Sequence, residues 1–206
     1  MEPAERQVLE DELQALLAER QFEHAATLAL RRYGPELLGF LVALLRNHDE
    51  AADVFSQLCE DVWRGLPGFA GRSSVRTWLY TLARHAFHRA LRSPARRKNV
   101  PLDQASAVSR IEHEVRVQTL SFLRTASKSR LIELREALPA EDQMLLILRV
   151  DKQLGWSELA ALLHDGQPLS DDDLKREAAR LRKRFQLLKD RLREQARAEG
   201  LIDKAE

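Results

Sequence analysis

One cysteine, Cys59, is all the thiol chemistry this chain of 206 residues has. A single thiol closes no internal disulfide and builds no thiolate metal cluster, which suits a reducing cytoplasm. No apolar run has the length of a signal peptide or a membrane span, so neither export nor membrane insertion is expected. Glycine and proline are scarce, at 8 and 7, and strict alternation of apolar and polar residues hardly occurs. Fibrous, disordered and strand-built architectures are disfavoured on these grounds. Acid is missing from one long stretch, with no Asp or Glu between Asp61 and Asp103.

What is present is helical. With 44% hydrophobic and 32% charged residues the chain has the profile of a helix-rich globular protein, and leucines recur at three- and four-residue spacing in Leu9, Leu13, Leu16 and again in Leu37, Leu38, Leu41, Leu44 and Leu45. The expected class is all-α. Gly34-Pro35 is read as a break between two helices, with Pro35 at a first helical position. Asn47-His48-Asp49 marks the next start, before a helix from about Glu50 to Arg64 that Leu66-Pro67-Gly68 ends. A loop from Phe69 to Ser74 then leads into the most regular apolar stripe of the chain, Val75, Trp78, Leu79, Leu82, Ala83, Ala86, Phe87, Ala90 and Leu91.

Ser93-Pro94 stops that helix, and the segment from Ala95 to about Arg110 reads as a linker. The organisation expected is a helical domain over 1–95, a linker with a weakly patterned helical segment over 96–129, and a second helical domain over 130–206. In the second domain a helix near Glu141 to Val150 precedes a short helix from Ser157, its N-cap, to Leu163, and a long one from about Ser170 to Ala198. Short then long and basic is a helix-turn-helix arrangement.

A net charge of +1 hides how the charges are placed. The acid-free span holds Arg64, Arg72, Arg76, Arg84, Arg89, Arg92, Arg96, Arg97 and Lys98, without the interspersed carboxylates of an ordinary solvated face. Cations massed in this way supply the salt-dependent part of nucleic-acid affinity. Arg76, Tyr80, Arg84 and His88 fall at four-residue steps opposite the apolar stripe and predict one exposed face with a ring among cations, suited to unpaired bases. Trp78 is expected in the core. In the second domain Lys175, Arg176, Arg180 and Lys183 lie off the apolar face of the long helix, placed for a major groove; an ordinary ion-paired face is an equal reading for that helix alone.

Phe69-Ala70-Gly71-Arg72-Ser73-Ser74-Val75-Arg76-Thr77-Trp78-Leu79-Tyr80-Thr81-Leu82-Ala83-Arg84-His85 resembles the signature of extracytoplasmic-function (ECF) RNA polymerase sigma factors. The likeness runs upstream through Asp49-Glu50-Ala51-Ala52-Asp53-Val54 to Val62-Trp63 and covers about Leu28 to Arg97. The resemblance implies that the first domain is a sigma region 2 that reads the minus-ten element and holds one opened strand. Phe69 and the Gly71–Ser74 loop would receive a flipped base, with Arg72, Ser73, Ser74, Arg76 and Tyr80 on the strand. Arg84, His85, Arg89 and Arg92 would meet the adjoining duplex. It also implies a grip on the polymerase core through Asp53, Gln57 and Glu60, although Ser56 stands where the family usually has Gln.

The second domain is similar to a divergent sigma region 4, whose turn His164-Asp165-Gly166-Gln167-Pro168-Leu169 is longer than the family's. Asp171, Asp172 and Asp173 open its long helix, where Ser170 with Asp173 forms a capping box and acids suit the positive helix end. Base contacts to the minus-35 element would fall to Lys175, Arg176, Arg180 or Lys183.

No phosphate loop, nucleophile elbow or Cys/His motif is found, and His85 with His88 lacks the further ligands of a metal site. No catalysis, cofactor or metal is expected. The partners implied are the RNA polymerase core enzyme and promoter DNA, with an anti-sigma protein left open. The alternative is a free-standing helix-turn-helix regulator, and a helical adaptor that binds only proteins is a further rival.

Overall fold

Apolar spacing of three and four residues drives four long helices in the computed structural model, which describes residues 1–92, 110–117, 133–135, 137–164 and 169–201. They are α1 (Pro3–Ala18), α2 (Phe22–Leu45), α3 (His48–Gly65) and α4 (Val75–Arg92). The segment 110–117 is also helical and is α5. The second half carries α6 (Ala140–Leu146), continued by a π-helical turn over Ile147–Asp151, then α7 (Trp156–Leu163) and α8 (Asp171–Ala198). No strand occurs among the described residues, so the class is all-α. By internal contacts the chain separates into two units, Met1–Thr125 and Ala126–Glu206.

Gly34-Pro35 does not break the chain into two helices: α2 runs through it for 24 residues. The missing Pro35 N–H leaves one helical bond unmade, but Pro35 is on the exposed side, where water can satisfy the freed carbonyl. On the buried side Tyr33, Leu37, Leu38, Phe40 and Leu41 are fully enclosed. Each large apolar side chain buried so contributes about 1.5–3 kcal/mol, enough to outweigh the lost bond. Gly34 has a separate reason to be small, since a Cβ there would lie 3.1 Å from both Val115 methyls and 3.3 Å from Phe55 Cζ.

α3 starts at His48, two residues earlier than the spacing suggests, because the Asn47 side chain accepts from the Asp49 and Glu50 N–H groups at 2.9 and 3.1 Å. Such an N-cap satisfies donors that the helix itself leaves open. A 3₁₀ turn, Leu66–Gly68, closes the helix. α5 packs on the same unit: Ile111 and Val115 are buried, and Glu112 accepts from Ser56 at 2.7 Å. The part of 111–129 that sequence left unassigned is thus placed on the first unit as far as residue 117. Residues 93–109, with most of the expected linker, and 118–132 lie outside the described residues.

In the second unit Leu138, Leu146 and Leu188 form a cluster with Phe185 and Leu192 against it. Ser157 is not the N-cap of α7. The helix begins at Trp156, and Glu158 reaches back to accept from the Gly155 N–H at 2.7 Å. That half of a capping box works whatever residue precedes the helix, so it outcompetes a serine hydroxyl two positions on. α8 starts as its sequence dictates, with Ser170 Oγ accepting from the Asp173 N–H at 3.2 Å and donating to its carboxylate at 2.6 Å. Four residues of the turn between α7 and α8, 165–168, lie outside the described residues.

Candidate nucleic-acid interface

The loop after Gly68 reverses through Gly71, whose φ of +66° lies in the left-handed region that side chains disfavour. It delivers Ser74 to the N-terminus of α4, where the first four N–H groups are all satisfied. Glu10 of α1 accepts from the Val75 and Arg76 N–H groups at 2.7 and 3.0 Å. Ser74 Oγ accepts from Thr77 N–H at 3.0 Å, and the Ser74 carbonyl from Trp78 N–H at 3.1 Å. Glu10 also accepts from the Tyr33 hydroxyl at 2.7 Å.

Behind the loop, the Arg76 side chain forms a two-pronged pair with Glu36, at 2.7 and 3.1 Å, and its guanidinium lies 5.5 Å from the centre of the Tyr80 ring. Burial alone would favour the neutral guanidine, but Glu36 outweighs it and holds Arg76 more firmly protonated than usual. Burial pushes the Tyr33 phenol up, and the bond to Glu10 adds to this; burial likewise raises Tyr80.

This arrangement corrects the exposed face expected of Arg76, Tyr80, Arg84 and His88. Arg76 is 5% exposed, Tyr80 0% and Arg84 3%, and His88 is half-buried. The four-residue step is right and the side is wrong, because α1 and α2 both pack against α4. Tyr80 meets Phe40 edge-on at 5.4 Å, and an Arg is tolerated inside because Glu36 pairs with it.

The face that is open carries Trp78, Leu82, His85, Arg89 and Arg92, spaced four, three, four and three residues apart. Trp78, expected in the core, is half-buried: its ring lies over Gly65, and its centre is 5.3 Å from that of Phe69. Phe69, Ser73 and Ser74 are also half-buried, while Arg72, His85, Arg89 and Arg92 are exposed. Arg89 is paired with Asp61, and Arg92 Nε donates to the His88 carbonyl at 3.3 Å. A half-open aromatic pair beside a loop, continued along α4 by exposed His85, Arg89 and Arg92, suits a strand whose bases stack while its phosphates meet the arginines. The signal for Trp78 was its register with His85, Arg89 and Arg92, hidden because it also belongs to the apolar stripe.

On α3, Asp53 is exposed and Gln57 half-buried. Glu60 is only 6% exposed and paired with Arg64 at 2.9 Å. The three do not make one open acidic stripe, because the Ser56–Glu60 side of the helix turns inward, with Ser56 bonded to α5.

On α8, Lys175, Arg176, Arg180 and Lys183 are exposed, and the first three pair with Asp172, Asp173 and Glu177 at 3.4, 3.4 and 2.9 Å. Surface pairs of this kind are worth about 0–1 kcal/mol and exchange readily for phosphates. At the start of α7, Arg149 and Arg182 stand 4.7 and 5.8 Å from the centre of the Trp156 ring. Among the described residues no group of three or more His, Cys, Asp or Glu is placed to hold a metal ion, and no helix is long and apolar enough to cross a membrane.

Residues 29–97 match sigma-70 region 2. RNA polymerase sigma factor YlaC of Bacillus subtilis (strain 168) is 29% identical over 161 residues, which is 78% of this chain and 91% of that protein. The first unit thus contains a match to sigma-70 region 2, and most of the chain is similar to an RNA polymerase sigma factor. The region 2 match runs from within α2 to residue 97, so that the loop, Trp78, His85, Arg89 and Arg92 all lie inside it. The likeness to the Bacillus sigma factor is longer than the first unit alone and so extends into the second. α1, with Glu10, precedes the region 2 match. No solved structure matches the chain.

Proposed function

We propose that this chain directs the RNA polymerase core enzyme to promoters, the first unit capturing one strand of the minus-ten element and the second reading the minus-35 element as duplex. The observation that carries this is the open row Trp78, His85, Arg89 and Arg92 beside the Phe69–Ser74 loop, within the residues that match region 2.

Drawing a base from the stack costs a few kcal/mol. Phe69 and Ser73 would receive it, Trp78 would flank it, and phosphate contacts from Arg72, His85, Arg89 and Arg92 would offset the cost. Ser74, Arg76, Tyr80 and Arg84 serve this reading as scaffold, because they cap or fill α4 from within. Asp53 and Gln57 would face the core enzyme, whose Arg and Lys a negative surface would steer. Lys175, Arg176, Arg180 and Lys183 would meet the minus-35 duplex. The chain would work in the cytoplasm and make no bond itself, since RNA synthesis belongs to the core.

Mixing the purified chain with bacterial core polymerase and a library of upstream sequences tests this. A stable complex that starts RNA at a shared two-part motif is expected. Duplex binding without core binding would point instead to a free-standing regulator. Within the complex, normal promoter opening by a Phe69→Ala, Arg72→Ala variant would remove the pocket from the reading.

A further inference from the structure

We propose that Glu10 is a positioning residue for the strand-capturing loop: by holding the Val75 and Arg76 N–H groups, its carboxylate sets where the loop stands on α4. The inference rests on the strand-capture reading above, and concerns a residue outside the region 2 match. Glu10 is the junction of three elements. It is carried by α1, which is anchored through buried Leu9 and Leu13; it accepts from Tyr33 of α2, and it covers the first turn of α4.

Ser74 takes the Thr77 and Trp78 N–H groups, and the two donors nearest the loop, those of Val75 and Arg76, are held by Glu10. A negative carboxylate at the positive end of a helix makes charge-assisted bonds, about twice as strong as neutral ones. The loop's other end is fixed by the Phe69 N–H on the Leu66 carbonyl at 3.0 Å, and Phe69 lies against Trp78. With both ends held, the loop meets a strand with its ordering already done, which favours binding without adding a contact. Releasing the α4 end would leave the same residues present and the geometry loose.

The test uses full-length Glu10→Gln, Tyr33→Phe and Phe69→Ala chains, each assembled with core polymerase. The probe is a single-stranded oligonucleotide carrying the minus-ten sequence of a promoter that the unaltered chain selects. Thermal midpoint and core affinity are measured alongside. Glu10→Gln keeps the shape and removes the charge, and is expected to weaken strand capture about tenfold with core affinity within twofold. Tyr33→Phe loosens the same network without touching the α4 N–H groups, and is expected to hold capture within twofold even where its midpoint falls as far. Unchanged capture by Glu10→Gln beside a defective Phe69→Ala overturns the role of Glu10 alone. Equal losses in Glu10→Gln and Tyr33→Phe, in step with their midpoints, also overturn it in favour of simple stability. Unchanged capture by Phe69→Ala overturns the loop reading and this inference with it.

Discussion

Arg76 and Glu36 form a two-pronged ion pair, 2.7 and 3.1 Å, on the inner side of the helix that carries the signature residues. An arginine in the middle of the region 2 match is here a structural brace: its backbone N–H is held by Glu10 and its side chain by Glu36.

Removing one partner strands the other in a site that water reaches poorly. Glu36→Ala is therefore expected to lower unfolding stability by about 3 kcal/mol, the range for broken buried pairs. Replacing both residues by apolar ones of similar size should recover most of that. Chemical denaturation of the three variants checks the order.

Exposed and buried arginines of α4 should part company in salt titrations. Arg92→Ala, at the open end of the row, is expected to reduce the slope of log affinity against log salt by about 0.9 when the polymerase complex binds promoter DNA. Arg84→Ala should leave that slope alone and cost stability instead, about 2 kcal/mol, because the side chain is 3% exposed.

Gly34 is expected to resist enlargement even though alanine is the better helix former. A Cβ 3.1 Å from the Val115 methyls forces α5 to shift, and such overpacking costs about 1–3 kcal/mol. Gly34→Ala should therefore lower the thermal midpoint, and Val115→Ala in the same chain should restore part of it. A Gly34→Ala chain that melts higher than the parent would show that α5 does not press on this site.

Stability should fall on the alkaline side. Burial, with Glu112 and other neighbours, pushes the Cys59 thiol well above its ordinary 9.0, and Tyr33 and Tyr80 are raised above their ordinary 10.0. Each group is protonated in the folded state at a pH where the unfolded chain has begun to release the proton. Above about pH 9 the unfolded state thus binds fewer protons than the native one, and the slope of unfolding free energy with pH is negative. Below that range these three groups contribute fully and add no slope. Urea midpoints from pH 7 to 11 check this, and a Tyr33→Phe, Tyr80→Phe chain should show a shallower fall above 10. By the same burial, Cys59 should react with thiol reagents only under denaturing conditions.

Much of the chain was legible without a fold. Leucine spacing declared helices, Ser170 with Asp173 declared the start of α8, and Phe69 to His85 carried the likeness to sigma-70 region 2, because these are local patterns. The failures share a cause. Gly34-Pro35 reads as a stop in isolation, yet α2 continues because its packed face outweighs one missing bond. Ser157 is a good N-cap by type and lost to a glutamate that reaches back to Gly155.

The candidate site divides along the same line. Composition determined that a cationic span exists, and the four-residue step determined that Arg76, Tyr80 and Arg84 share a side of α4. Only the packing of α1 and α2 decided that this side faces inward and that Trp78 with His85, Arg89 and Arg92 faces out. Glu10 had no signal of its own, being one carboxylate in an amphipathic helix, 65 residues from the nearest N–H it holds. Periodicity fixes which residues share a face, since that follows from helix geometry alone. Which face is buried depends on how helices distant in sequence cover one another, and that is set by the whole fold's burial of apolar surface.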